Sequence, residues 1–302
     1  MLVTVCIPIC HEIYFLDGVL RQIFKYKHPE IEYEIFIMNQ SSQEDTIKIH
    51  EICNKYENIQ IITTKRIDAG YPLDIAVRLA KGKYFCSLDA DAFPININWL
   101  YLPILMIQNF GFSFVGNHTG LHLSYKDFNF FHINNYFRVS KTDITKKLSE
   151  EIGFIRPQNK SLSDIYYNKN ILNNADNGVQ VQILSDLENY GPKLSLPIHT
   201  RIGKTPNIGI YGMIIGGLVF HMVFGQTIEE YPPNWIGENY LNLLKKIINN
   251  TLTENIIQEL ISLSIDPDLP DKPFVTNINN KIQVLDKDSE VINLYNRIMN
   301  NI

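Results

Sequence analysis

The sequence has few cysteines, four among 302 residues. Small secreted domains need many disulfides, whereas a chain of this length can bury a large core without them. Cys6 and Cys10 are spaced like a metal-binding pair, but no second Cys/His pair at zinc spacing follows. Both lie in an apolar run, residues 2–10, where the even spacing places them on one face of a strand. We therefore expect buried, reduced thiols.

The net charge is also small. Lysine and arginine number 27 and aspartate and glutamate number 32, which gives a formal net charge of −5. A general nucleic-acid-binding protein normally has a basic face and a high pI, so we expect no nucleic-acid partner. An acidic protein that binds a phosphorylated ligand must compensate the charge of that ligand locally, through a metal ion or a few placed cations.

Signals for membrane insertion or secretion are weak. Residues 208–225 carry no formal charge unless His221 is protonated, and they are nearly long enough to cross a bilayer. This segment contains five glycines and has no clear Lys/Arg flank, which favours a buried strand or turn beneath a site. The N-terminus has neither the basic segment nor the cleavage site of a signal peptide. We expect no transmembrane segment and a cytoplasmic location.

The first third of the chain alternates strand and helix patterns. Apolar strand-like runs occupy residues 2–8, 33–38, 59–63 and 84–88, and helical patterns occupy residues 13–27, 46–56 and 72–80. This alternation predicts an α/β fold with a mostly parallel central sheet flanked by helices. Ligands of such folds bind beyond the carboxyl ends of the strands, which is where Asn39 and Asp89 fall.

The remainder is less regular. Residues 111–171 are rich in aromatics and asparagine, and helical patterns return at residues 176–190, 235–249, 254–263 and 289–299, with a Pro/Asp-rich linker at 266–273. Broad apolar stripes between residues 240 and 263 are too apolar to face water. They predict a C-terminal helical extension that packs on the rest of the chain, or alternatively a homodimer.

Asp89 and Asp91 form the sharpest motif, an Asp-x-Asp directly after a buried strand. Alternate side chains of an extended chain point the same way, so the two carboxylates can converge on one ligand. Oxygen ligands suit Mn²⁺ or Mg²⁺, and Mg²⁺ is commonly held by one or two carboxylates plus substrate phosphates. A surface turn with two solvated acids is the alternative, because a lone Asp-x-Asp is common.

The order of the motifs resembles glycosyltransferase family 2. The family's Pro-x-x-Asn-Glu appears here as Pro8-Ile9-Cys10-His11-Glu12, and Arg66-Ile67-Asp68-Ala69-Gly70 resembles the run that leads into its metal strand. Its Leu-Asp-x-Asp-x-x-Pro signature is matched by Leu88-Asp89-Ala90-Asp91-Ala92-Phe93-Pro94. The resemblance covers residues 2–94 well and continues more thinly to residue 225.

The resemblance implies a GT-A (Rossmann-like) fold. Residues 1–225 would form the catalytic domain, with a nucleotide-sugar-binding half (1–94) and an acceptor-binding half (95–225), and residues 226–302 would pack on it. The implied reaction is the metal-dependent transfer of a sugar from a nucleotide-diphosphate sugar to an acceptor hydroxyl, with inversion of the anomeric configuration. The donor that we expect is a UDP-sugar. Mn²⁺ or Mg²⁺ is the implied cofactor.

By position, the resemblance also assigns roles in binding the nucleotide. Pro8 and Glu12 would line the nucleotide pocket, and Asp68 would contact the base or ribose. Asp89 would hold the ribose or a metal-bound water, while Asp91 would ligate the metal directly. Asn39 departs from the family, which has aspartate there. An amide oxygen can still accept a hydrogen bond from a uracil N–H, so Asn39 is compatible with uridine binding. The identity of the base stays open.

Two further residues are implied by the resemblance. Asp176-Asn177-Gly178 resembles the segment that supplies the catalytic aspartate, and an inverting transfer needs one carboxylate near the acceptor hydroxyl. The alternative for Asp176 is a helix cap, with Asp186 and Glu188 in reserve as the base. His221 resembles the late histidine that completes the metal site, and the alternative is a core histidine.

The sequence lacks the motifs that are typical of several other enzyme classes. A nicotinamide dehydrogenase needs Gly-x-Gly-x-x-Gly after the first strand, and a P-loop needs a glycine where Ile198 stands. A sugar nucleotidyltransferase usually opens with a glycine-rich basic loop, which is absent after Val5. A non-catalytic GT-A-like sugar-binding protein is supported only by Asn39 and the atypical Asp176 segment.

Overall fold

The structure, a computed structural model, describes residues 1–10, 13–66, 70–118, 123–125, 128–130, 132–154, 178–202, 210–222, 242, 253–264, 274–276, 282–285 and 288–300. The first part alternates strands and helices as predicted, in the order β1 Leu2–Ile9, α1 Ile13–Lys25, β2 Glu32–Asn39, α2 Gln43–Cys53, β3 Ile59–Thr63, α3 Gly70–Leu79 and β4 Tyr84–Leu88. Next come β5 Ala92–Pro94, α4 Tyr101–Phe110, β6 Phe114–His118, β7 Leu123–Tyr125, β8 Phe128–Phe130, β9 Ile133–Lys141 and α5 Thr142–Glu151.

The remaining described elements lie in the C-terminal half. They are α6 Val179–Leu187, β10 Lys193–Ser195, β11 Ile198–Ile202, β12 Ile210–Ile215, β13 Val219–Met222, α7 Glu254–Ser264, β14 Phe274–Thr276, β15 Ile282–Val284 and α8 Glu290–Met299. The predicted helix at 235–249, apart from residue 242, and the predicted linker at 266–273 lie outside the described residues.

A central sheet organises the chain. Among the described residues it has nine strands, in the order β15-β14-β10-β6-β9-β4-β1-β2-β3. β1 pairs in parallel with β2 and β4, and β2 pairs in parallel with β3. β9 is antiparallel to both of its neighbours, β4 and β6, and β14 is antiparallel to β10 and β15. Seven of these nine strands therefore run the same way, which confirms the predicted mostly parallel α/β sheet.

Helices cover both faces of this sheet. Val5 and Ile7 of β1 belong to the apolar core that includes α1 and α4, whereas Cys6 belongs to a second core with α3 and α5. A strand that is buried on both faces is apolar at successive positions, which explains the continuous apolar run of β1. Cys10 lies just beyond β1 and is only partly buried, so it does not share a strand face with the buried Cys6.

A second, antiparallel sheet has the order β11-β12-β13-β5. The described part of the segment predicted as a buried strand or turn, residues 210–222, forms the β12–β13 hairpin. Gly216 and Gly217 make its turn, with φ angles of +58° and +65° that favour glycine. Among the described residues, none of the helices combines the length and the apolar character needed to cross a membrane.

Two described helices of the C-terminal segment contact the preceding part of the chain. On α7, Glu254 accepts a hydrogen bond from Gln22 Nε2 at 2.8 Å and lies 3.0 Å from Lys25 Nζ, both on α1. On α8, the Tyr295 hydroxyl donates to the carbonyl of Gly216 at 2.8 Å. Besides the predicted helices, the segment contributes β14 and β15 to the central sheet. These two strands were not predicted.

An ion pair between Lys193 and Asp186 ties β10 to α6 inside the protein. Lys193 Nζ and Asp186 Oδ2 are 2.5 Å apart, and their side chains are only 2% and 6% exposed. Burial raises the pKa of the Asp186 carboxyl, and the lysine opposes that rise without cancelling it. This buried pair indicates a structural role for Asp186, which the sequence offered as a reserve candidate for the base.

We expect Asp186→Ala to lower the free energy of unfolding by about 3–5 kcal/mol, because it leaves a buried ammonium without its counter-ion. Urea denaturation measures this loss. Glu188→Ala, directly after the same helix, is the matched control, since Glu188 pairs with the exposed Lys147 and an exposed pair contributes little. Equal midpoints for both variants would contradict a structural role for the buried pair.

Candidate functional site

The turn between β4 and β5 carries the two aspartates of the Asp-x-Asp motif. The N–H of Asp89 donates to the Tyr136 carbonyl at 3.0 Å, and the N–H of Ala92 donates back to the Asp89 carbonyl at 3.0 Å. The Asp91 carbonyl accepts from the N–H of Met222 at 3.1 Å. Main-chain bonds thus fix the turn where the chain passes from the central sheet into the second sheet. The Asp91 side chain is 2% exposed and that of Asp89 is 17% exposed.

The strand register brings His221 to the same turn. β13 pairs with β5, and His221 stands opposite Ala92, the residue that follows Asp91. His221 Nε2 lies 3.3 Å from Asp91 Oδ1 and 3.9 Å from Asp89 Oδ2. One side-chain ligand atom from each of the three residues lies within 4.8 Å of the others. The structure therefore brings together all three residues predicted to bind the metal.

This cluster, Asp89–Asp91–His221, fits a divalent cation. Asp91 Oδ1 is buried 3.3 Å from Nε2 of His221, and no hydrogen bond with good geometry reaches it from the described part of the chain. Burial lowers the pKa of His221, but the nearby carboxylates of Asp91 and Asp89 outweigh it, and the pKa lies above its ordinary value. The excess of negative charge attracts a cation, and two carboxylate oxygens with one imidazole nitrogen are donors that Mn²⁺ accepts.

Tyr136 belongs to this site although no sequence motif indicated it. Its ring stacks on the imidazole of His221, with ring centroids 4.2 Å apart and the ring planes inclined by 16°. Tyr136 lies on β9, in the aromatic-rich part of the sequence, where one tyrosine carries no signal that separates it from its neighbours. Only the pairing of β9 with β4 places it beside Asp89.

Pro8 and Asn39 lie near the carboxyl ends of β1 and β2, at the edge of the sheet that Asp89 follows. Asn39 is fully buried. Its amide nitrogen donates to the hydroxyl oxygens of Thr46 at 2.7 Å and Thr63 at 3.4 Å, and its amide oxygen accepts from the N–H of Ser41 at 2.9 Å. The side chain thus holds the β2–α2 turn, and the bond from Ser41 uses one of the two lone pairs of its oxygen.

Three predicted site residues lie outside the described residues: Glu12, Asp68 and Asp176. The described chain resumes at Gly178, directly before α6. Gly178 has a φ of +79°, and its N–H donates to the Phe154 carbonyl at 3.0 Å. The other reserve candidate for the base, Glu188, pairs with Lys147 at 3.2 Å near the surface. Both reserve carboxylates are therefore already engaged in ion pairs.

The fold and the site together define an α/β protein in which a cluster of potential cation ligands lies at the carboxyl ends of the strands of a mostly parallel sheet. The family model described as glycosyl transferase family 2 matches residues 4–161, just over half of the chain. The chain belongs to this family. The match confirms the resemblance drawn from the motifs and includes Asp89 and Asp91, while His221 lies beyond it.

Two curated relatives share part of the sequence. "Glycosyltransferase AglE" of Haloferax volcanii is 24% identical over 119 residues, which is 39% of each chain. A dolichyl N-acetyl-alpha-D-glucosaminyl phosphate 3-beta-D-2,3-diacetamido-2,3-dideoxy-beta-D-glucuronosyltransferase of Methanococcus voltae is 26% identical over 95 residues, or 30% of each chain. The match thus spans about two fifths or less of these relatives.

One similar solved structure is the mannosyltransferase PcManGT from Pyrobaculum calidifontis in complex with GDP-Man and Mn²⁺. It is 15% identical, with a TM-score of 0.40, and the match covers 50% of this chain and 47% of that one.

Proposed function

We propose that this chain is a metal-dependent glycosyltransferase that moves a sugar from a nucleotide-diphosphate donor, a UDP-sugar, to an acceptor hydroxyl. The observation that carries the proposal is the convergence of Asp89, Asp91 and His221 at the carboxyl edge of the sheet. In a protein with a net charge of −5, such a cluster supplies what a diphosphate requires, a place where a cation compensates its charge.

In this proposal the residues of the cluster have different tasks. Asp91, which is buried and fixed by the main-chain bond to Met222, ligates the cation directly, together with His221. Asp89, which is more exposed, holds the ribose or a metal-bound water. The bound Mn²⁺ or Mg²⁺ would neutralise the diphosphate and stabilise the departing nucleotide.

The nucleoside and the acceptor would contact other residues. Pro8, Glu12 and Asp68 line the nucleoside pocket in this proposal, and Asn39 offers its remaining lone pair to the base. Asp176 takes the proton from the acceptor hydroxyl as that oxygen attacks the sugar carbon, which inverts the configuration. The division into a catalytic domain at 1–225 and an extension at 226–302, a homodimer and a cytoplasmic location remain predictions.

Thermal-shift measurements with UDP-, GDP- and dTDP-sugars test the donor and the metal together. At a donor concentration about 100 times the dissociation constant, binding adds about 2.7 kcal/mol of stability. For a chain of this size that raises the melting temperature by about 4 °C. We expect this shift with the UDP-sugar and Mn²⁺, and its loss when EDTA replaces the metal. The proposal would be falsified if no nucleotide sugar stabilised the protein in the presence of Mn²⁺.

A further inference from the structure

Tyr136 contacts two residues of the Asp89–Asp91–His221 cluster, Asp89 and His221. Its carbonyl accepts the hydrogen bond from the N–H of Asp89 at 3.0 Å, at the end of β4. Its ring stacks on the imidazole of His221 on β13, with a centroid distance of 4.2 Å. One residue of β9 therefore joins the strand end that carries the carboxylates to the strand that carries the histidine.

The imidazole of His221 needs a support of this kind. A metal-binding histidine usually fixes its ring by donating its second N–H to a carboxylate or a carbonyl. Nδ1 of His221 is buried, and among the residues that the structure describes it has no hydrogen-bond partner. The orientation of this ring is therefore set by packing and by the nearby carboxylates. The ring of Tyr136, nearly parallel to it, covers one of its faces.

We propose that Tyr136 is a positioning residue of the metal site, whose ring holds the imidazole of His221 with Nε2 directed at Asp91 and Asp89. The inference rests on the proposed metal dependence and adds a residue that acts through His221. Tyr136 needs no contact with the cation or the sugar for this role. Rotation of the unsupported ring would move Nε2 away from the carboxylate oxygens and weaken cation binding.

Binding of Mn²⁺ in the presence of UDP tests the inference, with free Mn²⁺ measured by its EPR signal. We expect Tyr136→Leu to weaken Mn²⁺ binding about tenfold, because outer partners of metal ligands are typically worth 10–100-fold in affinity. Tyr136→Phe keeps the ring and should stay within about twofold of the wild type. Tyr136→Met is a second variant without a ring, for use if the leucine variant does not fold.

Two controls separate positioning from general stability. Tyr101→Leu removes another tyrosine–histidine stack, on His28 at 3.9 Å, where His28 lies between α1 and β2, and should leave Mn²⁺ binding unchanged. In a His221→Gln background there is no imidazole to position, so Tyr136→Leu should cause no further loss of affinity. A merely structural role would give the same loss in both backgrounds.

The outcomes distinguish this inference from the proposed function. Wild-type Mn²⁺ affinity in Tyr136→Leu, or an equal loss in the His221→Gln background, overturns the role of Tyr136 and leaves the metal site standing. A wild-type protein that binds no Mn²⁺ with UDP overturns the metal site, and the inference with it. A loss that requires His221 and is rescued by phenylalanine supports the inference.

Discussion

Asp91→Asn is expected to weaken Mn²⁺ binding by at least about 100-fold and to abolish metal-dependent nucleotide binding. Even outer partners of metal ligands are worth 10–100-fold, and Asp91 is proposed to be a direct ligand. Asparagine keeps the shape of the side chain, and the hydrogen bond from Met222 goes to the main-chain carbonyl of Asp91, so the turn should be preserved. Titration calorimetry of UDP, with and without Mn²⁺, measures the effect.

Asp143→Asn is the matched control, because Asp143 is an exposed acid in the first turn of α5. It removes the same charge from the protein and should leave nucleotide binding unchanged. A general loss of negative charge would act alike at both positions, whereas loss of a ligand acts only at Asp91. Mn²⁺-dependent UDP binding retained in Asp91→Asn would show that the cation is held elsewhere or is not needed.

Asp176→Asn is expected to lower kcat by about 10²–10⁴-fold while nucleotide binding persists, because it removes the proposed general base. The N-cap of α6 is Gly178, so the helix cap predicted at Asp176 is not supported. Asparagine keeps the size of aspartate, and a residue with only a structural role would keep substantial turnover. Steady-state kinetics at saturating donor, with UDP binding measured alongside, separates these two roles.

Glu188→Gln is the control for the Asp176 variant, since Glu188 follows α6 directly and pairs with a surface lysine. Its turnover should match the wild type. NMR of the product then tests the proposed inversion through the anomeric configuration. A fully active Asp176→Asn would exclude Asp176 as the base.

The alternating elements of the first third were predictable because each strand and helix there has a clear apolar pattern. The strands observed at Ile59–Thr63 and Tyr84–Leu88 coincide with the predicted ones. Helix α4 was missed, because nearly all of its positions are apolar and no helical stripe stands out against a polar face. β14 and β15 have three residues each, too few to show an alternation.

The candidate site was predictable only in part. Asp89 and Asp91 lie two residues apart after a buried strand, a local pattern that the sequence displays. His221 is distant in sequence, and only the family resemblance linked it to them. Its position at the site depends on the register between β5 and β13, and no local sequence pattern predicts that register. Tyr136 depends in the same way on the pairing of β9 with β4.

The position of β14 in the central sheet has a consequence for how the chain is made. β14, Phe274–Thr276, pairs with β10, Lys193–Ser195, which leaves the ribosome much earlier. Until β14 arrives, β10 has one unpaired edge, and such an edge is a template for pairing with other chains. Translation that stalls or stops before residue 276 therefore releases a chain with an open sheet, prone to aggregate although every residue of the metal cluster has already been made.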